Sequence, residues 1–231
     1  MTPRARTGDV WPAPADKIEA YATLITVGRR WDYCPSMRLD HPRVRPTTSD
    51  EWDDDSRPLL AAIERNSGRV INIFRTLARH PKLLKRWSVF GNHVLGGSTL
   101  PARERELLIL RTGYRCGSGY EWAQHVAIAR RSDVSDDEII RLASDPSTAG
   151  WSDSDRVLIV ATDQLVDDKF IDDPTWAALS ATWSERQLMD LVFTVGQYTL
   201  VSMALNTFGV QIEEDTEQFP AAMFRDGRFP T

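Results

Sequence analysis

The sequence is poor in cysteine, because Cys34 and Cys116 are the only two among 231 residues. Their spacing matches neither a dithiol redox motif nor a set of zinc ligands. We therefore expect no metal ion at these cysteines. So few thiols are typical of proteins in a reducing compartment, where disulfides rarely persist, and we expect a cytoplasmic location.

Long hydrophobic runs and an excess of positive charge are also missing. The most apolar segment, residues 188–205, is interrupted by Asp190, Gln197 and Tyr198, so we expect no membrane span. The formal net charge is -5, which argues against binding to nucleic acid or to an anionic membrane surface. We expect a small molecule as substrate.

No segment alternates apolar and polar residues with period two between turn signals, which argues against β-strands. Apolar residues recur at helical spacing instead. Capping-box patterns at Ser135 and Ser184, and a looser one at Ser152, mark helix starts. The pattern predicts an all-α fold, a single orthogonal helical bundle. Its implied helices are about 69–79, 82–95, 120–131, 136–143, 153–167, 175–182 and 185–208, with one more from Pro101 to a break at Cys116.

The most informative stretch is residues 101–132, which predicts two helices joined by a tight Gly-Ser-Gly bend. Glu121 and His125 lie one turn apart on the inward face of the second helix, close enough to touch. An acid and a base that are buried together suit proton transfer, because burial and mutual charge shift the pKa of each. The alternative is a partly buried structural ion pair.

A third position extends this pair. Glu106, Ser118, Glu121 and His125 follow one another with gaps of twelve, three and four residues. This spacing resembles the motif of the carboxymuconolactone decarboxylase and alkyl hydroperoxidase D superfamily, whose peroxidase branch has Glu, Cys-x-x-Cys and His in this frame. Glu106 matches the Glu and His125 the His, while Ser118 and Glu121 stand where the branch has cysteines. The resemblance extends over roughly residues 40–215 and belongs to the long branch that lacks Cys-x-x-Cys.

The resemblance implies an alkyl hydroperoxidase D-like helical bundle that assembles into homo-trimers or hexamers. It also implies a cofactor-independent acid–base enzyme of the decarboxylase, lyase or isomerase class, acting on a small carboxylated substrate such as a lactone. In this reading His125 is the proton donor or base, Glu121 orients it, and Glu106 is a second carboxylate that tunes the site.

The substrate would be held by residues around this motif. Arg111 and Arg115 lie one turn apart and suit a carboxylate, although a solvated basic stripe explains them equally well. A polar pair interrupts the apolar last helix, and Tyr198 belongs to it. The predicted substrate-binding residues are Arg111, Arg115, Ser118, Trp122 and Tyr198.

Two other functions stay open. Cys116 could serve a one-cysteine, peroxiredoxin-like alkyl hydroperoxide reductase, although it lacks a nearby resolving thiol and lies at a helix C-terminus, where the helix dipole disfavours a thiolate. The chain could instead be a non-catalytic helical oligomer that binds a small ligand, which its eight tryptophans would suit.

The resemblance also divides the chain. Met37 stands where long members of the superfamily begin, so we expect residues 1–36 to be a flexible N-terminal arm or an over-called start. Residues 37–215 form the helical domain in this division, and residues 216–231 form a C-terminal tail.

Overall fold

The computed structural model describes residues 39–216; the expected arm 1–36, with Cys34, and the tail from residue 217 onward lie outside the described residues. Within residues 39–216 the chain forms nine α-helices and no β-strand, which confirms the all-α prediction. A 3-10 turn (Ser49–Glu51) precedes them, and a π-helical turn (His93–Gly97) follows the third. The helices are α1 (Arg57–Ser67), α2 (Asn72–Leu77), α3 (Pro81–Asn92), α4 (Ala102–Arg115), α5 (Gly119–Arg131), α6 (Asp136–Leu142), α7 (Asp153–Asp167), α8 (Asp173–Ser180) and α9 (Glu185–Phe208).

Helix starts agree with the capping patterns in the sequence. The side chains of Ser135, Ser152 and Ser184 each accept a hydrogen bond from the backbone N–H three residues on, at the starts of α6, α7 and α9. Such a bond satisfies one of the N–H groups that a helix start leaves unpaired. Pro101 differs slightly from expectation: it is the extended residue just before α4 and not the first helical residue.

Helix α4 lies at the centre of the fold. Every residue from Glu106 to Tyr114 is buried, and α4 packs against α5, α7 and α9. A helix that is buried on all sides is a core helix. Any charged side chain in this stretch must therefore find its partners inside the protein.

Helices α4 and α7 run parallel to each other, joined by three Arg–Asp pairs of equal sequence separation. In each pair the two residues are 52 positions apart, so a step along α4 matches an equal step along α7. The Nη1 of Arg103 lies 2.8 Å from Oδ1 of Asp155, for example. The pairs are Arg103–Asp155, Arg111–Asp163 and Arg115–Asp167.

Helix α9 is apolar on two opposite faces. Its inner face, with Leu188, Leu191 and Val195, is buried against the core, whereas Phe193 and Leu200 on the outer face are more than half exposed. By length and composition α9 could cross a membrane, but half of its most apolar window is buried inside the fold. Its inner face thus has the burial of a core helix.

Candidate active site

His125 lies between two carboxylates, with one at each ring nitrogen. Its Nδ1 is 2.7 Å from Oε2 of Glu106, and its Nε2 is 3.0 Å from Oε1 of Glu121. Glu106 comes from α4, whereas Glu121 and His125 lie one turn apart on α5. The three residues of the sequence motif therefore meet in one triad, Glu106–His125–Glu121.

The hairpin between α4 and α5 brings these side chains together. The N–H of Ser118 donates to the carbonyl of Gly113 over 2.8 Å, and Gly117 takes a positive φ of 58°, which closes the tight turn. A Cβ at Gly113 would lie 3.5 Å from the Cβ of Glu121. The two helices are thus close enough for Glu106 and His125 to meet.

The triad is buried and carries opposite charges. Glu106 is completely buried, while Glu121 and His125 each keep 5% of their surface exposed. Burial alone would lower the pKa of His125, but the charges and hydrogen bonds of Glu106 and Glu121 outweigh it and raise that pKa to about 10. His125 is therefore an imidazolium at neutral pH, and it donates both ring N–H groups to carboxylates.

The contacts refine the roles expected from the sequence. Glu106 was expected to tune the site and Glu121 to orient His125. Yet Glu106 makes the shorter contact and is the more deeply buried, so it is the group that fixes the imidazole ring. Glu121 is the carboxylate nearer to solvent.

Two further side chains border the triad. Nε of Arg105 lies 3.3 Å from Oε1 of Glu106, the carboxylate oxygen that does not contact His125. The ring of Tyr198, on α9, meets the ring of His125 edge-on with centroids 5.0 Å apart. Burial and the carboxylates of Glu121 and Glu106 raise the pKa of Tyr198, while the charge of Arg105 opposes them. Tyr198 is therefore a neutral phenol beside the triad.

The structure does not bring Arg111 and Arg115 into this group. Arg111 is fully buried and makes a two-pronged contact with Asp163, over 2.7 and 2.6 Å, besides bonds to the carbonyls of Leu142 and Ser144. Arg115 contacts Asp163 and Asp167. Neither arginine forms the solvated stripe or the carboxylate clamp expected from the sequence, because both join α4 to its neighbours. The clamp role has no support in these contacts.

The other predicted residues lie in the core or at the turn between α4 and α5. Trp122 is a core residue that packs against the ring of Tyr114, with centroids 6.2 Å apart. Ser118 is wholly buried at the start of α5, and its hydroxyl has no hydrogen-bond partner among residues 39–216. Cys116, the alternative redox residue, is half-buried at the C-terminal end of α4.

The triad does not resemble a metal centre. Ligands of one metal ion converge on a point, but the two nitrogens of an imidazole point in different directions, and each faces its own carboxylate here. Across the described range, no group of three or more His, Cys, Asp or Glu residues is arranged to hold a metal ion. The geometry suits hydrogen bonding and proton transfer.

Residues 81–163 match the model of the carboxymuconolactone decarboxylase family, and this range contains all three triad residues. This match supports the resemblance of the motif to the carboxymuconolactone decarboxylase and alkyl hydroperoxidase D superfamily. No curated protein sequence matches it.

Solved structures share the fold of this chain. It is similar to an uncharacterized peroxidase-related protein from Ralstonia eutropha JMP134, described as an alkylhydroperoxidase AhpD core, with a TM-score of 0.66 and 19% identity over 75% of this chain and 93% of that chain. A peroxidase-related protein from Silicibacter sp. TM1040 gives 0.65 and 15% identity over 83% and 97%. A variant of the debrominase Bmp8, in complex with 2,3,4-tribromopyrrole, gives 0.64 and 14% over 76% and 94%. At such identities the likeness shows the fold alone.

Proposed function

We propose that this protein is a member of the superfamily it resembles, and a cofactor-independent acid–base enzyme whose proton-transfer group is the Glu106–His125–Glu121 triad. The observation that carries the proposal is the imidazole of His125 held between two carboxylates, one at each nitrogen. Structural ion pairs need only one partner for a histidine. Burying a second carboxylate costs desolvation free energy. A role in proton transfer would explain why the protein retains it.

The chemistry follows from the burial of each member. Glu121, nearer to solvent than Glu106, would relay a proton from the Nε2–H of His125 to the substrate. Glu106 would stabilise the imidazolium through Nδ1 and keep the ring in place. The proton then has a short route along hydrogen bonds that are already formed.

The substrate class we propose is a small carboxylated molecule, with a lactone acid as the first choice. Loss of CO2 from an unsaturated lactone acid, in which the double bond relays the electron pair to the lactone carbonyl, leaves a dienolate, which needs one proton at carbon to give the product. A charged imidazolium beside the site would favour the developing negative charge. The same triad would also serve an isomerisation, so we name the reaction only as acid–base chemistry of the lyase or isomerase class.

The test is a screen of carboxylated lactones and related acids for release of CO2 or for isomerisation, followed by NMR. Activity on a panel member should fall about 100-fold or more in His125→Gln, the usual contribution of a general acid. His93→Gln is the matched control, because His93 is an exposed histidine paired with Asp190. Equal activity of both variants and the wild type would contradict the proposal.

Hydroperoxide reduction is tested in the same series with a dithiol as reductant. The proposal expects no peroxide turnover above background, in the wild type or in Cys116→Ser. Turnover that is lost in Cys116→Ser would establish the one-cysteine peroxidase instead. A chain that turns over neither acids nor peroxide would support the non-catalytic reading.

We also propose that the protein is a homo-oligomer, built on contacts between α9 of two copies. Six exposed positions of α9 follow alternate steps of four and three residues, the spacing at which one helix packs along another. Gly196 is one of the two middle positions, and a Cβ added there would meet nothing within 4 Å, so a second helix could approach closely. The positions are Met189, Phe193, Gly196, Leu200, Met203 and Thr207.

The exposed apolar area suits such an interface. Met189, Phe193, Leu200 and Met203 are 54–62% exposed. Leu83 of α3, itself 46% exposed, lines a groove of about 310 Å³ together with Leu200 and Met203. All of these side chains together leave roughly 500 Å² of apolar side chain exposed, close to the apolar share of a standard interface of about 800 Å² per partner. A patch of this size is comparable to the largest apolar patch on a typical monomer, and such patches are often functional.

The remaining parts of the proposal concern location and ligands. We place the enzyme in the cytoplasm, since it has two cysteines in all and a formal net charge of -5. The same charge speaks for a small-molecule substrate and against nucleic acid or a membrane surface as partner. The buried inner face of α9 supports its role as a core helix in this proposal.

A further inference from the structure

Arg105 is the cation that the sequence motif did not single out. Its side chain is only 12% exposed, and its Nε contacts Oε1 of Glu106. No other hydrogen bond or ion pair joins this side chain to residues 39–216. The two terminal nitrogens of its guanidinium, with four N–H donors between them, therefore have no partner within that range.

This arrangement is unusual for a largely buried arginine. Burying a guanidinium is costly unless its donors are satisfied, and Arg111, further along α4, shows the ordinary solution with bonds to Asp163 and two backbone carbonyls. Arg105 is held at one edge and left open at the other. Its open edge is the planar fork that binds a carboxylate by two parallel hydrogen bonds.

The position of Arg105 ties this fork to the triad. Glu106 receives Arg105 on one carboxylate oxygen and His125 on the other, so one carboxylate bridges the guanidinium and the imidazole. The charge of Arg105 also acts on Tyr198, which packs on the ring of His125. The formal charges of the two carboxylates, the imidazolium and the guanidinium sum to zero. A bound singly charged anion would therefore give the site a net charge of one negative.

We propose that Arg105 binds a carboxylate of the substrate, one that stays on the molecule during the reaction. This deepens the proposed function and rests on it for the identity of the ligand as a substrate. If the reaction is a decarboxylation, the carboxylate bound to Arg105 is not the one that leaves as CO2. A guanidinium stabilises a carboxylate more than it stabilises neutral CO2, so binding the leaving group would raise the barrier. The proposal therefore favours substrates that keep an anionic group beside the reacting carbon.

The test measures binding and not turnover. The probe is 5-oxotetrahydrofuran-2-carboxylate, a small lactone acid, with its neutral primary amide as a ligand of the same shape, and both are titrated into the full chain by calorimetry. The wild type should bind the acid more tightly than the amide. Arg105→Gln should weaken binding of the acid about 10- to 100-fold, the range of a charge-assisted contact, and leave the amide unchanged. Arg105→Lys should fall between them, because it keeps the charge and loses the fork.

Arg115→Gln is the matched control, since Arg115 lies on the same helix and pairs with Asp163 and Asp167. It should bind the acid as the wild type does, and thermal melts of each variant confirm that it is folded. Equal affinity of the wild type for acid and amide, binding of neither, or an unchanged affinity in Arg105→Gln overturns the proposal. His125→Gln separates it from the proposed function: that variant should still bind the acid, even if no panel member is ever turned over.

Discussion

The Nδ1 of His125 and the Oε2 of Glu106 lie 2.7 Å apart across the α4–α5 hairpin, in a place where Glu106 has no contact with solvent. This contact decides the protonation state of the site. A buried imidazole alone would be neutral, but here the imidazolium is retained because two carboxylates face it. That charge, the groups around it and the assembly of the chain are each open to experiment.

Removing Glu106 should lower the pKa of His125. In Glu106→Gln, burial would remain and the nearer of two negative charges would be gone, so the pKa should fall well below about 10. NMR titration of the histidine Cε1–H signals measures this directly. The Cε1–H signal of His93, which is exposed and paired with Asp190, is the internal reference for the fold of the variant. A pKa of His125 that does not move would contradict the assigned contact.

The stability of the protein should fall at alkaline pH because of His125. Its folded pKa is raised from about 6.5 to about 10, so its stabilising contribution is complete below pH 6.5 and is lost as the pH rises toward 10. Melting temperatures measured between pH 6.5 and 10 should decline more steeply in the wild type than in His125→Gln. Parallel curves would show that His125 is not charged in the folded protein.

Arg111 should be a structural residue. Its guanidinium is fully buried on Asp163, so Asp163→Asn would leave a buried charge without its partner and should cost about 3–5 kcal/mol of unfolding free energy. Urea denaturation measures this cost. Arg69→Gln, which breaks the exposed pair with Asp215, is the control and should change stability little. A small effect of Asp163→Asn would reopen a binding role for Arg111.

A charge on the outer face of α9 should separate the copies. Leu200→Glu places a carboxylate in the centre of the proposed interface, where it would be buried without a partner, so this variant should sediment as a monomer. Phe170→Glu is the control, because Phe170 is equally apolar and 64% exposed but lies between α7 and α8. A wild type that is already monomeric, or a variant that keeps the wild-type size, contradicts the α9 interface.

The fold was largely predictable from the sequence because its helices carry local signals. Serine caps placed the starts of α6, α7 and α9 within a residue, and α7 and α9 end where their apolar patterns end. The ends of α2 and α3 were less well predicted. There the expected helix 69–79 shortens to Asn72–Leu77, and the expected helix 82–95 becomes Pro81–Asn92 followed by a π-helical turn at His93–Gly97.

The site was predictable in part. The helical spacing placed Glu121 beside His125, and the family frame added Glu106, but no local rule shows how two helices pack. Arg111 and Arg115 looked like a free basic stripe because their partners come from α7. The sequence did contain a signal of this packing, because an Asp follows each of three arginines of α4 at the same distance of 52 residues. That signal appears only when the two helices are compared with each other. The pairs are Arg103–Asp155, Arg111–Asp163 and Arg115–Asp167. Arg105 carries no signal beyond its place next to Glu106.

The central claim is that His125 acts in proton transfer and is more than a packing residue. The measurement that tests it most directly is turnover and melting temperature of His125→Gln on the same sample, with a carboxylated lactone from the panel. We predict a loss of turnover of about 100-fold or more in a protein that remains folded and melts cooperatively. Unchanged turnover with a lowered melting temperature would contradict it, and would make the Glu106–His125–Glu121 triad a buried structural network.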